Sequence, residues 1–212
     1  MEFTFWDILR NLLFATRWTL LLSIVAFVGG GLVGLAVLLL RISGRKWALL
    51  LAKAYIELFQ GTPLLMQLFL VFFGLPKLGL RMEPFGVAAI TLTLCASAYL
   101  AEIWRGGVDS ISRGQWDAAA SLGLHSRLQL RLIILPQAFH ITRAPTVGFL
   151  VQLVKATAVT SIIGFEELLR TANAITNATF EPLKVYACVA TIYFVICYFV
   201  SRYAKLLELR GT

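Results

Sequence analysis

Apolar residues along this chain do not alternate with polar ones; they come in long runs. Residues 18–40 form 23 positions without a charge, bracketed by Arg17 and Arg41. Residues 58–76 supply 19 more, 84–101 supply 18 before Glu102, and 185–201 supply 17. A fifth run is interrupted, with 144–154 and 156–165 flanking Lys155. A helix needs about 20 mostly apolar residues to cross a bilayer. The pattern therefore predicts an all-α membrane protein, one domain over 1–212, with five transmembrane helices near 18–40, 50–76, 84–104, 144–165 and 184–203. A four-span arrangement, with the interrupted fourth segment re-entrant, is the alternative. Residues 3–17 read as a short amphipathic stretch lying at the interface before the first span. They do not read as a signal peptide, because Glu2 and Asp7 stand where a basic cluster is required and no small-residue cleavage site ends the run.

Composition agrees with the pattern. Apolar residues make up 59 % and charged residues 14 %, against roughly 45–50 % and about 25 % in soluble domains. Mean hydropathy is +0.82. The formal net charge of +8 points to cytoplasmic loops of a membrane protein and not to nucleic acid, since no recognition motif accompanies it. With the amino terminus outside and the carboxyl terminus inside, eleven Lys and Arg residues fall inside, including Arg41, Arg45, Lys46, Arg105, Arg113, Arg127, Arg131, Arg143, Arg202, Lys205 and Arg210. Six fall outside: Arg10, Arg17, Lys77, Arg81, Arg170 and Lys184. That excess sets the predicted orientation. Cys95, Cys188 and Cys197 sit in apolar runs, in an odd number and without framework spacing, and read as small apolar fillers.

Candidate chemistry is sparse. No phosphate-cradling Walker A loop, H-E-x-x-H or G-x-S-x-G pattern occurs, and His125 and His140 are the only histidines. No catalytic or metal-binding residue is expected. Within the first span Ala26, Gly30 and Gly34 recur every fourth residue, a spacing that fits either a tight helix–helix seam or ordinary glycine enrichment in membrane helices. Charged and polar residues inside spans are costly and usually functional. Glu57, Gln60, Thr62, Glu102, Lys155 and Thr157 are therefore the candidate solute path, while Lys53 and Glu57 also suit a helical i, i+4 pair. Between spans three and four lies a long basic segment, about 108–136. Ser112 and Gln115 have capping-box spacing, as do Ser126 and Gln129. Gly123 is a natural helix stop, and Pro136 is expected to disrupt the second helix. The segment reads as two short helices joined at a glycine. The first carries Ala118, Ala119 and Ala120 and suits close approach by another protein; an amphipathic connector on the membrane is the bland alternative.

These residues also carry a resemblance. Asp117-Ala118-Ala119, three residues, Gly123, nine residues, Ile133, one residue, Leu135-Pro136 resembles the EAA loop of membrane subunits of ATP-binding-cassette importers, with Asp117 where the family usually has Glu. Gln60-Gly61-Thr62-Pro63-Leu64-Leu65-Met66-Gln67 resembles the R-G-T-P-L-L-x-Q stretch of its polar amino-acid permeases, with Gln60 in place of Arg. The stretch from Tyr99 to Gly107 resembles their third-span exit, and Lys155-Ala156-Thr157-Ala158 their K-x-T-S element, with Ala158 for Ser. Glu167-Leu168-Leu169-Arg170 fits the outside helix that follows. The resemblance implies a type I importer permease fold in a bacterial inner membrane, importing a polar amino acid from an extracytoplasmic binding protein. It implies a second permease subunit, identical or related, and two ATPase subunits that hold ATP and Mg, leaving no cofactor in this chain. It implies ATPase coupling through Asp117, Ala118, Ala119, Ser121, Leu122 and Gly123. Two other classes fit the polar residues: an intramembrane enzyme built on Glu57, Glu102 and Lys155, and a scaffold subunit without a path.

Overall fold

A computed structural model describes residues 4–209; Glu2, Phe3 and Arg210, which entered the topology argument, lie outside the described residues. The chain there is helical throughout: α1 (Phe5–Arg41), α2 (Lys46–Gly61), α3 (Leu64–Lys77), α4 (Pro84–Asp109), α5 (Arg113–Ser121), α6 (Ser126–Gln129), α7 (Leu135–Ala156), α8 (Leu168–Thr179) and α9 (Pro182–Leu209). A π-helical turn, Leu130–Ile134, joins α6 to α7, and a 3₁₀ segment, Thr157–Ile163, follows α7.

The amphipathic stretch expected at 3–17 is not a separate element. It forms the first turns of α1, a single helix of 37 residues. Nothing within it breaks a helix, and Thr4 starts it with a capping box: the Asp7 amide donates to Thr4 Oγ1, and the Thr4 amide to Asp7 Oδ2. Ile8 and Leu12 are buried with Leu168, Ala172 and Val185 of α8 and α9, which gives this end of α1 a tertiary reason to continue.

The second predicted span is broken. α2 and α3 meet at a bend of 103°. Proline has no amide hydrogen and disfavours the helical conformation of the residue before it. Accordingly Thr62, which precedes Pro63, is extended (φ −115°, ψ 143°). The fourth segment, suspected of being re-entrant, is instead a continuous helical course over Ser126–Ile163. Pro136 does not end it, because the π turn widens the backbone just ahead: the Leu135 amide donates to the Leu130 carbonyl. Among the described residues four helices are long and apolar enough to cross a membrane, or five crossings if the bent pair counts as one.

The α1–α4 seam resolves the two readings of the small-residue repeat. Ala26, Gly30 and Gly34 all face α4 and are buried. A β-carbon on Gly30 would lie 2.7 Å from Ala96 Cβ, and one on Gly34 would lie 2.9 Å from the Ser97 carbonyl oxygen. The same device brings α4 onto α7, where a β-carbon on Gly107 would lie 2.9 Å from the Ala138 carbonyl oxygen. Outward faces remain apolar, with Leu32, Leu50, Leu70 and Phe194 exposed, as expected of helices solvated by lipid or by a partner helix.

Candidate functional site

The segment 108–136 folds as a helical hairpin at the end of α4. Ser112 occupies the N-cap of α5, but its side chain makes no cap hydrogen bond; only its carbonyl engages, accepting from the Gln115 amide at 3.0 Å. The second capping box is also unmade, since His125 and not Ser126 holds the N-cap, and Gln129 donates instead to the Leu124 carbonyl. Gly123 has φ +73°, the left-handed conformation that closes a helix and that a β-carbon would strain. Half-buried Trp116 packs against Val108, Ile111, Ile134 and Ala138, so α5 is braced simultaneously on the end of α4 and the start of α7. This leaves Asp117, Ala118, Ala120, Ser121 and Leu122 facing outward. Ala119 is the exception. It is 1 % exposed and points into the hairpin, so among the expected coupling residues it supports the face instead of presenting it.

At the same end, Glu102 is held by Arg41 of α1 at 3.3 Å and by Arg105 at 3.0 Å, and Arg105 also meets Asp109. The carboxylate that looked available for solute is thus engaged in tying the end of α1 to α4. Glu57 is exposed and unpaired: among the described residues neither it nor Lys53 forms an ion pair.

Gln60 and Thr62 sit at the bend. Gln60 Nε2 donates to the Ala98 carbonyl at 3.3 Å, and the Thr62 hydroxyl donates to the Leu58 carbonyl at 2.7 Å. The bend is fastened by a residue that was read only as part of a motif. Gln67, 8 % exposed, directs its amide nitrogen at the carbonyls of Phe59 (2.9 Å) and Thr62 (3.0 Å) and at Thr62 Oγ1 (2.9 Å). It thereby satisfies carbonyls that the break in the helix releases, a need that is absolute in a membrane. A crevice of about 210 Å³ opens beside it. Of the expected path residues, only Thr62 borders it.

Lys155 is exposed on the last turn of α7. Thr157 is not beside it in open space. It is fully buried, with its hydroxyl donating to the Val154 carbonyl at 2.8 Å, at the point where α7 passes into the 3₁₀ segment. Glu167 is the buried acid that sequence reading placed only within a helix motif. It caps α8 by accepting from the Arg170 amide at 2.8 Å, and it accepts from Tyr193 of α9 at 3.1 Å and Thr19 of α1 at 3.4 Å. Burial raises its pKa above the ordinary carboxyl value, against the lowering effect of these donors.

The hairpin, the bent pair and the seam have a known setting. Residues 30–210 match the family model described as binding-protein-dependent transport system inner membrane component. This chain belongs to that family. Its permease relatives include the probable amino-acid ABC transporter permease protein YckA of Bacillus subtilis, 38 % identical over 193 residues, or 90 % of this chain and 84 % of YckA. The glutamine transport system permease protein GlnP of Escherichia coli is 32 % identical over 97 % of this chain and 94 % of GlnP. A solved structure of an amino acid ABC transporter with histidines superposes with a TM-score of 0.92 at 34 % identity, covering 99 % of this chain and 100 % of that one. The fold is that of a type I ABC importer permease, within a multi-pass membrane protein. A permease of this family does not favour the intramembrane-enzyme or scaffold readings.

Proposed function

We propose that this chain is the membrane-spanning subunit of an ATP-driven importer of a polar amino acid. It works in the bacterial inner membrane with its amino terminus outside and its carboxyl terminus in the cytoplasm. It crosses five times, the bent α2–α3 pair making one crossing. An extracytoplasmic binding protein delivers the solute, a second permease subunit, identical or related, completes the path, and two ATPase subunits hold ATP and Mg. The relatives named above support the solute class, and the excess of Lys and Arg at the α5 end supports the orientation.

The observation that carries the coupling role is the braced hairpin. Ala118, Ala120 and Ser121 face outward with little side chain to hold off a docked groove. Trp116 and its neighbours make α5 move with α4 and α7 as a unit. From Ser126 the helical course runs unbroken past Lys155, so a displacement of α5 by the ATPases reaches the membrane interior through rigid helix and not through loop. Within the path, Glu57, Gln60, Thr62 and Lys155 supply both charge signs and hydrogen-bonding groups for a zwitterion. Glu102 and Thr157 act by positioning: the first locks α1 to α4, the second sets the turn that presents Lys155.

The test uses Ala118→Trp and Gly123→Val in the reconstituted complex. Ala119→Trp is unsuited to it, since Ala119 is buried and its replacement would disrupt the hairpin itself. Both chosen variants are expected to insert and fold. Each should lower uptake by about tenfold or more, the effect of blocking a docking centre, with the ATPases either dissociated or hydrolysing without transport. Normal uptake with normal solute-stimulated hydrolysis in both variants would refute the coupling role.

A further inference from the structure

A groove of about 460 Å³ lies where the α1–α2 turn meets the exit of the hairpin. Its polar wall is Arg45 from the turn and Ser126 and Arg127 from the start of α6; its apolar wall is Leu39, Leu40 and Trp47. Among the described residues no acidic side chain lines it. Among the described residues Arg45 and Arg127 form no ion pair, and neither do their neighbours Lys46 and Arg131. Arg41, the cation one turn away on α1, is already committed to Glu102. Ser43 spends its hydroxyl hydrogen on the Leu40 carbonyl, whereas the Ser126 hydroxyl has no partner among the described residues and is free to donate. Gly44, at φ +71°, turns the chain between α1 and α2, and Arg45 follows it as the N-cap of α2.

Two guanidinium groups from separate elements share the groove with a free hydroxyl, neither of them ion-paired and one, Arg45, lying 6.0 Å over the Trp47 ring. With no carboxylate there among the described residues, this describes an acceptor of negative charge. Guanidinium binds a phosphate diester with paired hydrogen bonds and stays charged at any relevant pH. The apolar wall decides what carries the phosphate. Trp47 is 55 % exposed at the head of α2, the level at which tryptophan anchors helices to the bilayer interface. Leu39 and Leu40 continue down α1 into the uncharged run. We infer that this groove binds the headgroup phosphate of an anionic phospholipid, with Arg45, Arg127 and Ser126 on the phosphate and the acyl chains along Leu39, Leu40 and Trp47. The lipid spans the membrane turn and the hairpin exit, and so seats the hairpin against the bilayer. This goes beyond the import reading and does not depend on which solute crosses; it needs only that the α1–α2 turn lie at headgroup depth.

Native mass spectrometry of the chain, purified with the subunits that accompany it, tests the assignment. The probes are dioleoyl-phosphatidylglycerol, dioleoyl-phosphatidylcholine and inorganic phosphate. The wild type is expected to retain phosphatidylglycerol preferentially. Arg45→Gln with Arg127→Gln should weaken that retention by roughly tenfold or more, two interfacial cations having been removed, and leave phosphatidylcholine unchanged. Arg45→Lys with Arg127→Lys, which keeps the charge, should retain phosphatidylglycerol and guards against a folding defect. Arg10→Gln, at the other end of α1, should change nothing. Equal retention of both lipids by the wild type would overturn the inference, as would undiminished phosphatidylglycerol binding by the Gln pair. Displacement of the lipid by millimolar inorganic phosphate would overturn the lipid assignment in favour of a soluble anion. Loss of the ATPase subunits from the Gln pair, with lipid binding intact, would overturn it in favour of a carboxylate on a docked subunit.

Discussion

Glu167 shows how much one side chain can hold in this fold. It caps α8 through the Arg170 amide and receives hydroxyls from α1 and α9, so it joins three helices at one buried point. Its pKa is raised by burial, so the folded state holds the proton more tightly than the unfolded chain. Stability is therefore full below the ordinary carboxyl value near 4.5 and falls as pH rises through the elevated folded value. Glu167→Gln keeps the shape without the titration. Thermal unfolding in detergent, followed from pH 4 upward in steps of about one unit, is expected to show stability falling with pH more steeply in the wild type than in the variant. Parallel curves would mean that the carboxyl is not desolvated as its burial implies. The residue could not have been chosen from sequence, because its hydroxyl donors lie 148 residues before it and 26 after it.

At the level of elements, the α1–α4 seam and the α2–α3 bend set where everything else sits. Gly34 faces backbone: its β-carbon would meet the Ser97 carbonyl oxygen at 2.9 Å, and an oxygen fixed within a helix cannot swing aside. Gly31, on the same helix, would meet only Trp104 Cη2 at 3.8 Å, an ordinary contact. Gly34→Val is expected to destabilise the chain by about 2 kcal/mol or more, while Gly31→Ala should stay within about 1 kcal/mol of wild type, on the favourable side through helix propensity. Thermal unfolding of the two variants in the same detergent decides it; equal behaviour would remove the seam from the account. The bend is partly legible, since Pro63 is visible in the sequence. Its fastening by Gln67 is not, because a buried amide satisfying Phe59 and Thr62 is a consequence of the break itself.

For the whole molecule the bent pair sets how many times the chain crosses the bilayer. At about 1.5 Å per residue, α2 and α3 are roughly 24 and 21 Å long, so neither alone spans about 30 Å of hydrocarbon. If together they make one crossing, Arg45 and Lys77 lie on opposite faces; if they form a re-entrant loop, they lie on the same face. With Cys95, Cys188 and Cys197 first replaced by Ala, single cysteines at Lys77 and at exposed Asn177 are expected to react with an impermeant thiol reagent in spheroplasts. Cysteines at Arg45 and Ser126 should react only after the membrane is opened. Labelling of both Arg45 and Lys77 positions from one side would establish a re-entrant pair and four crossings.

What the sequence determined by itself was local or statistical. Uncharged runs located every long apolar helix, because burial in lipid depends on composition over about 20 residues. The hairpin was legible because the alanine run and Gly123 act through backbone preferences within a few residues, whereas the capping box expected at Ser112 is not made. Tertiary structure decided the rest. That Ala119 faces inward, that Glu102 is taken up by Arg41 and Arg105, and that Thr157 is buried follow from which helices pack together. The same holds for Gln67 and Glu167, whose roles exist only once the chain has broken at Pro63 and brought α1, α8 and α9 into contact. A buried polar atom must find its partner wherever the fold puts one, and sequence separation carries no record of that distance.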